Sequence, residues 1–307
     1  MIYKRQKVVF IGNLIFSKEL LKTVLTNKKF EVVGIISKNK SSYNSDQHSL
    51  RSISKREKIK YFNFTKDRKK KMKFFIKKLK PDYIFCFGWS HILNSDILKI
   101  PLKKSLGYHP TLLPRNKGRH PIIWTIILGL KKTGSTFFAM DMKKEVDSGQ
   151  ILSQKNLKVN NSETSTTLYK KLILTAKKQL KYLLDNMEDK KFYKKRANGL
   201  FNNYWRKRTF EDGIIDWRSG YKSIIRLVNA LKKPYQNASI RYKSKFIQVK
   251  DCKLLKYNLI NYHNIEPGKI LNINKKKNFI DVKCYDKVLR LTITKPIKDK
   301  FTRGNYL

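Results

Sequence analysis

The chain has 307 residues, 40% of them hydrophobic, which is enough to bury one large core or two smaller ones. Lysine and arginine number 70 against 22 aspartates and glutamates, giving a formal net charge of +48 at pH 7. Every apolar run is broken by lysine, asparagine or glycine well before the ~20 residues of a membrane span, so the sequence predicts no membrane-spanning protein. Three widely spaced cysteines without a C-x-x-C motif argue against structural disulfides and a structural zinc.

The positive charge alone is typical of proteins that bind nucleic acids or other anions. The lysines, however, are spread through every segment together with asparagine, isoleucine and tyrosine, and no arginine-rich stripe occurs. This distribution favours a compositional bias over a dedicated nucleic-acid surface, which stays open as an alternative. In either case the field would attract a phosphorylated substrate.

The first half alternates short apolar strands with amphipathic helical stretches, a pattern that predicts parallel strands joined by right-handed crossovers. The N-terminal run lacks the small-residue cleavage site of a secretory signal and is interpreted as the first strand. In chain order we predict a strand at 7–12, a helix at 17–25, a strand at 31–37, a polar loop at 38–60, a basic helix at 66–80, and strands at 81–89, 105–110 and 135–141.

The second half has a different organisation. We predict a long helix at 162–187, a lysine-rich linker at 188–196, a helix at 221–231, and strands with period-two alternation at 245–250, 278–285 and 288–295. The expected fold is therefore α/β: a Rossmann-like, mostly parallel sheet with helices on both faces in residues 1–190. A small C-terminal β-barrel-like domain of the OB type follows in residues 191–307.

Polar side chains follow the buried strands of the predicted sheet. Open sheets bind ligands at the carboxyl ends of their strands, where we expect Gly88, His109 and Asp141 to emerge. His109 is followed by a proline-braced loop, and Asp147 lies in a D-S-G turn that can reach the same place. A histidine that takes up a proton beside an orienting carboxylate suits acyl transfer to an amine. Each residue also has a plain interpretation, His109 as a core histidine and Asp147 as an ordinary turn residue.

Two segments carry a family resemblance, LGYHPTLLPRNKGRHPIIW at 106–124 and GSTFFAMDMKKEVDSGQIL at 134–152. They resemble the catalytic core of the 10-formyltetrahydrofolate-dependent formyltransferases, which include methionyl-tRNA, glycinamide ribonucleotide and sugar-nucleotide enzymes. That core consists of Asn-x-His, a Leu-Leu-Pro loop ending in glycine, and Asp-x-Gly. Here these elements fall on His109, on 112–118 and on Asp147 with Gly149. EDGIIDW from Glu211 and IIRLVNALKKPY resemble the family's C-terminal barrel domain.

The resemblance implies formyl transfer from 10-formyltetrahydrofolate to an amine, with His109 and Asp147 as catalytic residues and no metal. One position departs from the family, because Gly107 stands where its asparagine helps to bind the formyl oxygen. Losing such a donor typically costs about a hundredfold to a thousandfold in rate. Asn116, in the following loop, is a candidate substitute, although asparagine in such a loop is also a common turn former.

The resemblance also implies a folate pocket at the end of the strand at 81–89 and in the turn after the strand at 135–141. A glycine lets backbone approach a flat pterin, and apolar side chains form walls; ordinary core packing is the alternative for the same side chains. Three other histidines, His48, His91 and His120, lack comparable support and are interpreted as structural or solvated. The implied folate-binding residues are Phe87, Gly88, Trp89, Ile92, Leu93, Met140 and Asp141.

Two acceptors compete. Methionyl-tRNA enzymes usually carry a Pro-Ala-Gly-Arg-Gly segment after the second strand, where this chain has SKNKSSYNSDQHSLRSI, and YWRKRTFEDGIIDW at 204–217 looks more like the sugar enzymes. We therefore expect a nucleotide-linked amino sugar, with Arg115 and Arg119 as candidate anion contacts, in a cytoplasmic enzyme. The alternatives are a divergent methionyl-tRNA formyltransferase, favoured by the net charge, and a folate-binding homologue without activity. The sequence leaves a homodimer open.

Overall fold

A computed structural model describes residues 4–39, 46–140, 146–187, 203–256, 262, 264–297 and 301–307. These residues divide into two compact units. The first unit comprises the described residues of 1–121, 132–158 and 169–206, and the second those of 122–131, 159–168 and 207–307. The expected domain boundary at residues 190 and 191 lies outside the described residues.

The first unit is built on a seven-stranded sheet. Its strands are β1 (Gln6–Ile11), β2 (Phe30–Ser37), β3 (Lys60–Asn63), β4 (Tyr83–Cys86), β5 (Lys104–His109), β7 (Lys132–Ala139) and β8 (Ile151–Lys158). They lie in the order β3-β2-β1-β4-β5-β7-β8. Pairing is parallel from β3 to β5 and antiparallel at β5–β7 and β7–β8, which confirms the mostly parallel sheet.

Helices cover both faces of this sheet, as predicted. Alternate residues of β1 point to opposite sides: Val8 and Phe10 join one core cluster, and Val9 and Ile11 join the other. The first cluster receives apolar residues of α1 (Ile15–Leu25) and α6 (Ser165–Asn186), and the second those of α3 (Lys69–Leu79). Two short helices, α2 (Arg51–Arg56) and α4 (Ser95–Leu98), complete the connections.

Two sequence predictions need correction. The polar stretch at 38–60 contains α2, and the edge strand β3 follows it; both are too short and too polar to give a clear periodic signal. The strand predicted at 135–141 runs antiparallel to β5, so its end lies beside Ser105 and not beside His109. The Met140 amide donates to the Ser105 carbonyl at 2.8 Å. β7 therefore does not run parallel to β5 as predicted; Asp141 lies outside the described residues, and its place beside His109 stays a prediction.

The second unit contains a five-stranded antiparallel sheet in the order β10-β11-β14-β13-β12. In chain order its elements are α5 (Pro121–Ile127), α7 (Tyr221–Ala230), β10 (Ser239–Tyr242), β11 (Lys245–Leu254), β12 (Ile270–Asn274), β13 (Phe279–Lys283) and β14 (Val288–Ile293). The predicted antiparallel C-terminal domain is confirmed. β10 and β12 are the outer strands of this sheet, and single bridges extend it beyond both: Ser239 of β10 pairs with Ile214, and Lys269, just before β12, pairs with Tyr306. The sheet forms a half-barrel, in agreement with the barrel-like domain that the sequence predicts.

Asp46 is a buried carboxylic acid in the first unit. Its Oδ1 atom finds no hydrogen-bond partner among the described residues, and Tyr169 is its hydrogen-bonding neighbour. Burial raises the pKa of Asp46 above its ordinary value of 3.8, against the lowering effect of Tyr169.

No helix in the described part of the chain is long and apolar enough to cross a membrane.

We expect Asp46→Asn to stabilise the protein at neutral pH. As the pH rises past 3.8, Asp46 ionises in the unfolded chain while it is still protonated in the native protein. The free energy of unfolding therefore falls until the pH exceeds the raised pKa of Asp46 in the native state. Asparagine has no proton to lose and can still accept from Tyr169. The melting temperature of the variant minus that of the wild type should therefore increase between pH 4 and pH 7. Glu31→Gln, at an exposed carboxylate, is the control; a difference that stays flat with pH would contradict the prediction.

Candidate active site

His109 is the last residue of β5, at the carboxyl end of the parallel strands. Its side chain is only 6% exposed. Proline follows immediately, so the chain leaves the strand with a restricted backbone. The imidazole is thus held rigidly at the edge of the sheet where ligands bind in folds of this type.

Both ring nitrogens of His109 face oxygen acceptors. Nε2 lies 2.9 Å from the carbonyl oxygen of Asn116, and Nδ1 lies 3.5 Å from Oδ2 of Asp147. Carbonyl and carboxylate oxygens only accept hydrogen bonds, so the neutral ring, with its single N–H, can donate to only one of the two. A ring with a proton on both nitrogens can donate to both. The pairing of His109 with Asp147, expected from the sequence, is present in the structure.

Asp147 is fixed from the opposite side by the backbone of the Leu-Leu-Pro loop. The Gly118 amide donates to Asp147 Oδ2 at 3.2 Å. Gly118 has a φ of 96° and lies so close to the Trp205 carbonyl that a side-chain carbon there would collide with it. Asp147 itself is only 14% exposed and has a φ of 60°. The carboxylate therefore has a defined position beside the imidazole.

The segment at 203–205 holds this loop in place. Tyr204 and Trp205 form the short strand β9 (Tyr204–Trp205), which pairs in parallel with β6 (Lys117–Gly118). The Tyr204 hydroxyl donates to the Val146 carbonyl at 2.8 Å, next to Asp147. Asn203 makes two hydrogen bonds with Asn116. Its Oδ1 accepts from the backbone N–H of Asn116 at 2.8 Å, and its Nδ2 donates to Oδ1 of Asn116 at 2.9 Å. Sequence reasoning did not identify this segment, because its role depends on contacts more than 50 residues away in the chain.

Asn116 contacts the His109–Asp147 pair through its backbone. It has a φ of 58°, a left-handed conformation that asparagine tolerates, and this turns its carbonyl toward His109. Its Oδ1 accepts from Asn203, which leaves the Nδ2 group as a donor that the described hydrogen bonds do not use. Asn116 is thus a turn former whose backbone carbonyl contacts the imidazole. That its side chain replaces the family's asparagine stays a prediction.

A glycine at position 107 is required by its cross-strand neighbour. Gly107 pairs with Phe138 of β7, and a side-chain carbon at 107 would lie 2.7 Å from the Phe138 ring and 3.1 Å from Met140 Cγ. Alternation along β5 puts positions 107 and 109 on the same face. The buried Phe138 ring therefore occupies the space into which the family's asparagine would project.

The residues expected to bind folate fall into two groups. Trp89, Leu93 and Met140 pack against one apolar cluster on the α3 side of the sheet, and Ile92 is largely exposed beside them. Phe87 packs wholly inside the other core cluster, where its ring contacts Phe10 and Phe137. Gly88 has a φ of 69° and follows Phe87 at the end of β4.

A pocket of about 250 Å³ lies next to Trp89. Phe64, Trp89 and His91 form its aromatic wall, with ring centroids 5.1–5.4 Å apart. Burial, together with the positive charges of Lys38, Lys66, Arg119 and Lys69, lowers the pKa of His91. His91 could not be selected from the sequence, because nothing in the spacing relates it to Phe64. The pocket is lined by Phe64, Lys69, Lys70, Met72, Lys73, Trp89, His91, Ile92, Leu93, Asn94, Asp96 and Ile97.

The two arginines proposed as anion contacts have different surroundings. Arg115 is exposed, and its backbone bonds within its own loop, to Leu112 and Thr111. Arg119 donates from its guanidinium to the Ser90 carbonyl at 2.9 Å, which ties it to the segment between Trp89 and His91.

Cys86 lies in β4, where burial raises the pKa of its thiol to about 12 and makes it a poor nucleophile.

Comparison with known proteins gives matches along nearly the whole chain. Residues 6–183 match the formyl transferase family model, and residues 207–305 match the formyl transferase C-terminal domain. The bifunctional polymyxin resistance protein ArnA of Wigglesworthia glossinidia brevipalpis is 37% identical over 202 residues, 65% of this chain. The match spans only 30% of that relative.

A methionyl-tRNA formyltransferase of Caldanaerobacter subterraneus is 29% identical over 216 residues, covering 70% of this chain and 67% of the relative. Among solved structures, an N-formyltransferase from Helicobacter canadensis superposes with a TM-score of 0.68 at 17% identity, over 94% of this chain and 99% of that one. That likeness concerns the fold. The two domain matches, together with His109 and Asp147 meeting at the end of β5, lead to one conclusion: the chain belongs to the formyl transferase family.

Proposed function

We propose that this protein transfers a formyl group from 10-formyltetrahydrofolate to the amine of a nucleotide-linked amino sugar. The observation that carries the proposal is the geometry of His109, held between the Asn116 carbonyl and the Asp147 carboxylate. The structure of the Helicobacter canadensis relative is a complex with folinic acid and dTDP-3-aminofucose, and another structural neighbour, WlaRD, is a sugar 3N-formyl transferase. Both relatives support the sugar acceptor.

The cosubstrate supplies the formyl group, and the protein supplies proton transfer and charge stabilisation. As the acceptor amine attacks the formyl carbon, the neutral imidazole of His109 takes up its proton. The charged ring then donates to both the Asp147 carboxylate and the Asn116 carbonyl, which stabilise it. The same proton is available to the departing folate nitrogen, so the ring ends the cycle neutral.

Negative charge that develops on the formyl oxygen needs a hydrogen-bond donor, and Gly107 has no side chain to give one. We assign this role to Nδ2 of Asn116, because Asn203 holds the other end of that amide. A donor aimed in advance at the developing charge contributes strongly to the rate. Asn203 is then a positioning residue.

A methionyl-tRNA acceptor is the second candidate. The net charge of +48 and the relative from Caldanaerobacter subterraneus favour it. Against it stands the loop after β2, which lacks the Pro-Ala-Gly-Arg-Gly segment usual in that group.

The acceptor is tested by incubating the protein with 10-formyltetrahydrofolate and a panel of acceptors. We expect formylation of at least one dTDP- or UDP-linked amino sugar and none of charged initiator tRNA. Product formation is followed by mass spectrometry. Activity on tRNA alone would replace the preferred acceptor with the second one, and folate binding without turnover on any acceptor would contradict enzymatic function.

His109→Ala should lower kcat by at least about 100-fold, because it removes the general base. Asp147→Asn should also lower kcat, since a neutral amide stabilises the charged imidazole poorly. His48→Ala and the exposed Asp185→Asn are matched controls and should remain within a few-fold of wild type. A near-wild-type rate for His109→Ala, in a variant with unchanged melting temperature, would rule out its assigned role.

Asn116→Asp should lower kcat by about 100-fold to 1,000-fold with little change in KM, because it keeps the oxygen that bonds Asn203 but loses the Nδ2 donor. Asn116→Gly tolerates the positive φ and should lower kcat similarly. Asn203→Ala removes only the positioning contact and should cost less. Gly107→Asn would not test the missing donor, because the Phe138 ring occupies the space that the asparagine side chain needs. Retained kcat in Asn116→Asp would show that another group supplies the donor.

A further inference from the structure

The segment 110–116 leaves the ring of His109 and returns to it. His109 ends β5, yet the carbonyl oxygen of Asn116 lies 2.9 Å from Nε2 of its imidazole. Inside the segment, the Arg115 amide donates to the Leu112 carbonyl at 3.1 Å. A local turn of this kind fixes the bend of the chain but not its position on the sheet. The contact between Asn116 and the imidazole therefore depends on what attaches the segment to the neighbouring strands.

Side chains of β7 and β8 attach this segment to the sheet. Three of them each donate a hydrogen bond to one of its backbone carbonyls: Thr133 to Pro110 at 3.1 Å, Thr136 to Thr111 at 2.6 Å, and Gln154 to Leu113 at 2.9 Å. Thr133 and Thr136 are buried, so water does not readily take the place of their hydroxyl groups. The carbonyls of the segment are thus held by donors from two strands that are distant in the sequence.

The two donors nearest to Asn116 belong to a single row across the sheet. Thr136 of β7 lies directly opposite His109 of β5 and directly opposite Gln154 of β8. Directly paired residues project from the same face of a sheet. Nε2 of Gln154 also donates to the Thr136 hydroxyl at 3.0 Å, and that hydroxyl donates onward to Thr111. Such a chain of hydrogen bonds strengthens each of its members.

Close packing fixes the segment against the same face. A side-chain carbon at Gly134 would lie 2.7 Å from the carbonyl oxygen of Thr111, so the backbone approaches β7 as closely as a glycine allows. Leu113 is buried in a small apolar cluster with Phe138 of β7 and Ile151 of β8. Polar and apolar contacts together leave the segment one position on the sheet.

We infer that Thr136 and Gln154 are positioning residues, which hold the segment so that the Asn116 carbonyl reaches Nε2 of His109. This inference rests on the proposed function, in which that carbonyl accepts a hydrogen bond from the charged ring. Asn203 anchors Asn116 itself, and the two strand residues anchor the chain that precedes it. They act on the imidazole through the segment and do not touch the substrate.

The kinetic test uses substitutions that keep the size of each side chain. Thr136→Val loses the hydroxyl, and Gln154→Met keeps the length of the side chain but loses the amide donor. We expect each variant to lower kcat by about 10-fold to 100-fold, as a small displacement of reacting groups does. KM should stay within about twofold, because an interaction that matters only in the transition state is lost. Thr136→Ser retains the hydroxyl and should keep most of the wild-type kcat.

Gln179→Met is the matched control. Nε2 of Gln179 donates to the Ser135 carbonyl at 3.1 Å and to the Ser153 hydroxyl at 3.0 Å, so it also joins β7 to β8. Ser153 precedes Gln154 in the strand, and its side chain therefore projects from the opposite face. We expect this variant to keep its kcat within about twofold even where its melting temperature falls. Equal losses of kcat in the Gln154 and Gln179 variants would assign the effect to sheet stability and overturn the inference.

Nitrogen NMR of protein labelled at histidine measures the contact itself. The Nε2 resonance of His109, assigned by its absence in His109→Ala, responds to the hydrogen bond with Asn116. Thr136→Val and Gln154→Met should shift this resonance, whereas Gln179→Met should leave it in place. An unshifted resonance in both site variants would overturn the inference, whatever their kcat.

Failure of this inference is separable from failure of the proposed function, because the resonance is recorded without turnover. Formyl transfer that depends on His109, with kcat and the resonance unchanged in both Thr136→Val and Gln154→Met, would contradict the positioning role alone. A shifted resonance in both variants, without formyl transfer to any acceptor by the wild-type protein, would contradict the proposed function alone.

Discussion

The candidate site depends on one constraint: the imidazole of His109 is held between two acceptors of different kinds. The Asn116 carbonyl lies next to Nε2, and the Asp147 carboxylate lies next to Nδ1. Neither oxygen can donate a hydrogen bond, so the neutral ring, which has one N–H, leaves one of the two contacts without a proton. A ring that has taken up a proton donates to both oxygens, and the carboxylate stabilises its charge.

Much of the surrounding structure serves that arrangement. The segment at 203–205 contacts both sides of it, the loop through Asn116 and Gly118 and the turn through Val146. Gly118 is a glycine because the Trp205 carbonyl leaves no room for a side chain. The loop and the turn belong to distant parts of the sequence, and a third distant segment holds both in position.

Gly107 departs from the family motif, while His109 and Asp147 remain paired. Phe138 fills the space beside Gly107 and lies on the same face of the sheet as His109. An asparagine at position 107 would therefore collide with an aromatic side chain on the neighbouring strand. The backbone carbonyl of Asn116 contacts the same imidazole, and its side chain is anchored by Asn203.

The sequence by itself determined the class of fold and singled out His109 and Asp147, which the structure brings together. Alternating apolar strands and amphipathic helices predict a largely parallel sheet because side-chain period follows local geometry. His109 and Asp147 stand in motifs short enough to be recognised along the chain. Tertiary structure alone decided the reversed direction of β7, the placement of β3 at the sheet edge, the strand order of the C-terminal sheet, and the grouping of His91 with Phe64 and three lysines. These features depend on pairing and charge between residues far apart in the chain, and hydrophobic periodicity contains no information about such contacts.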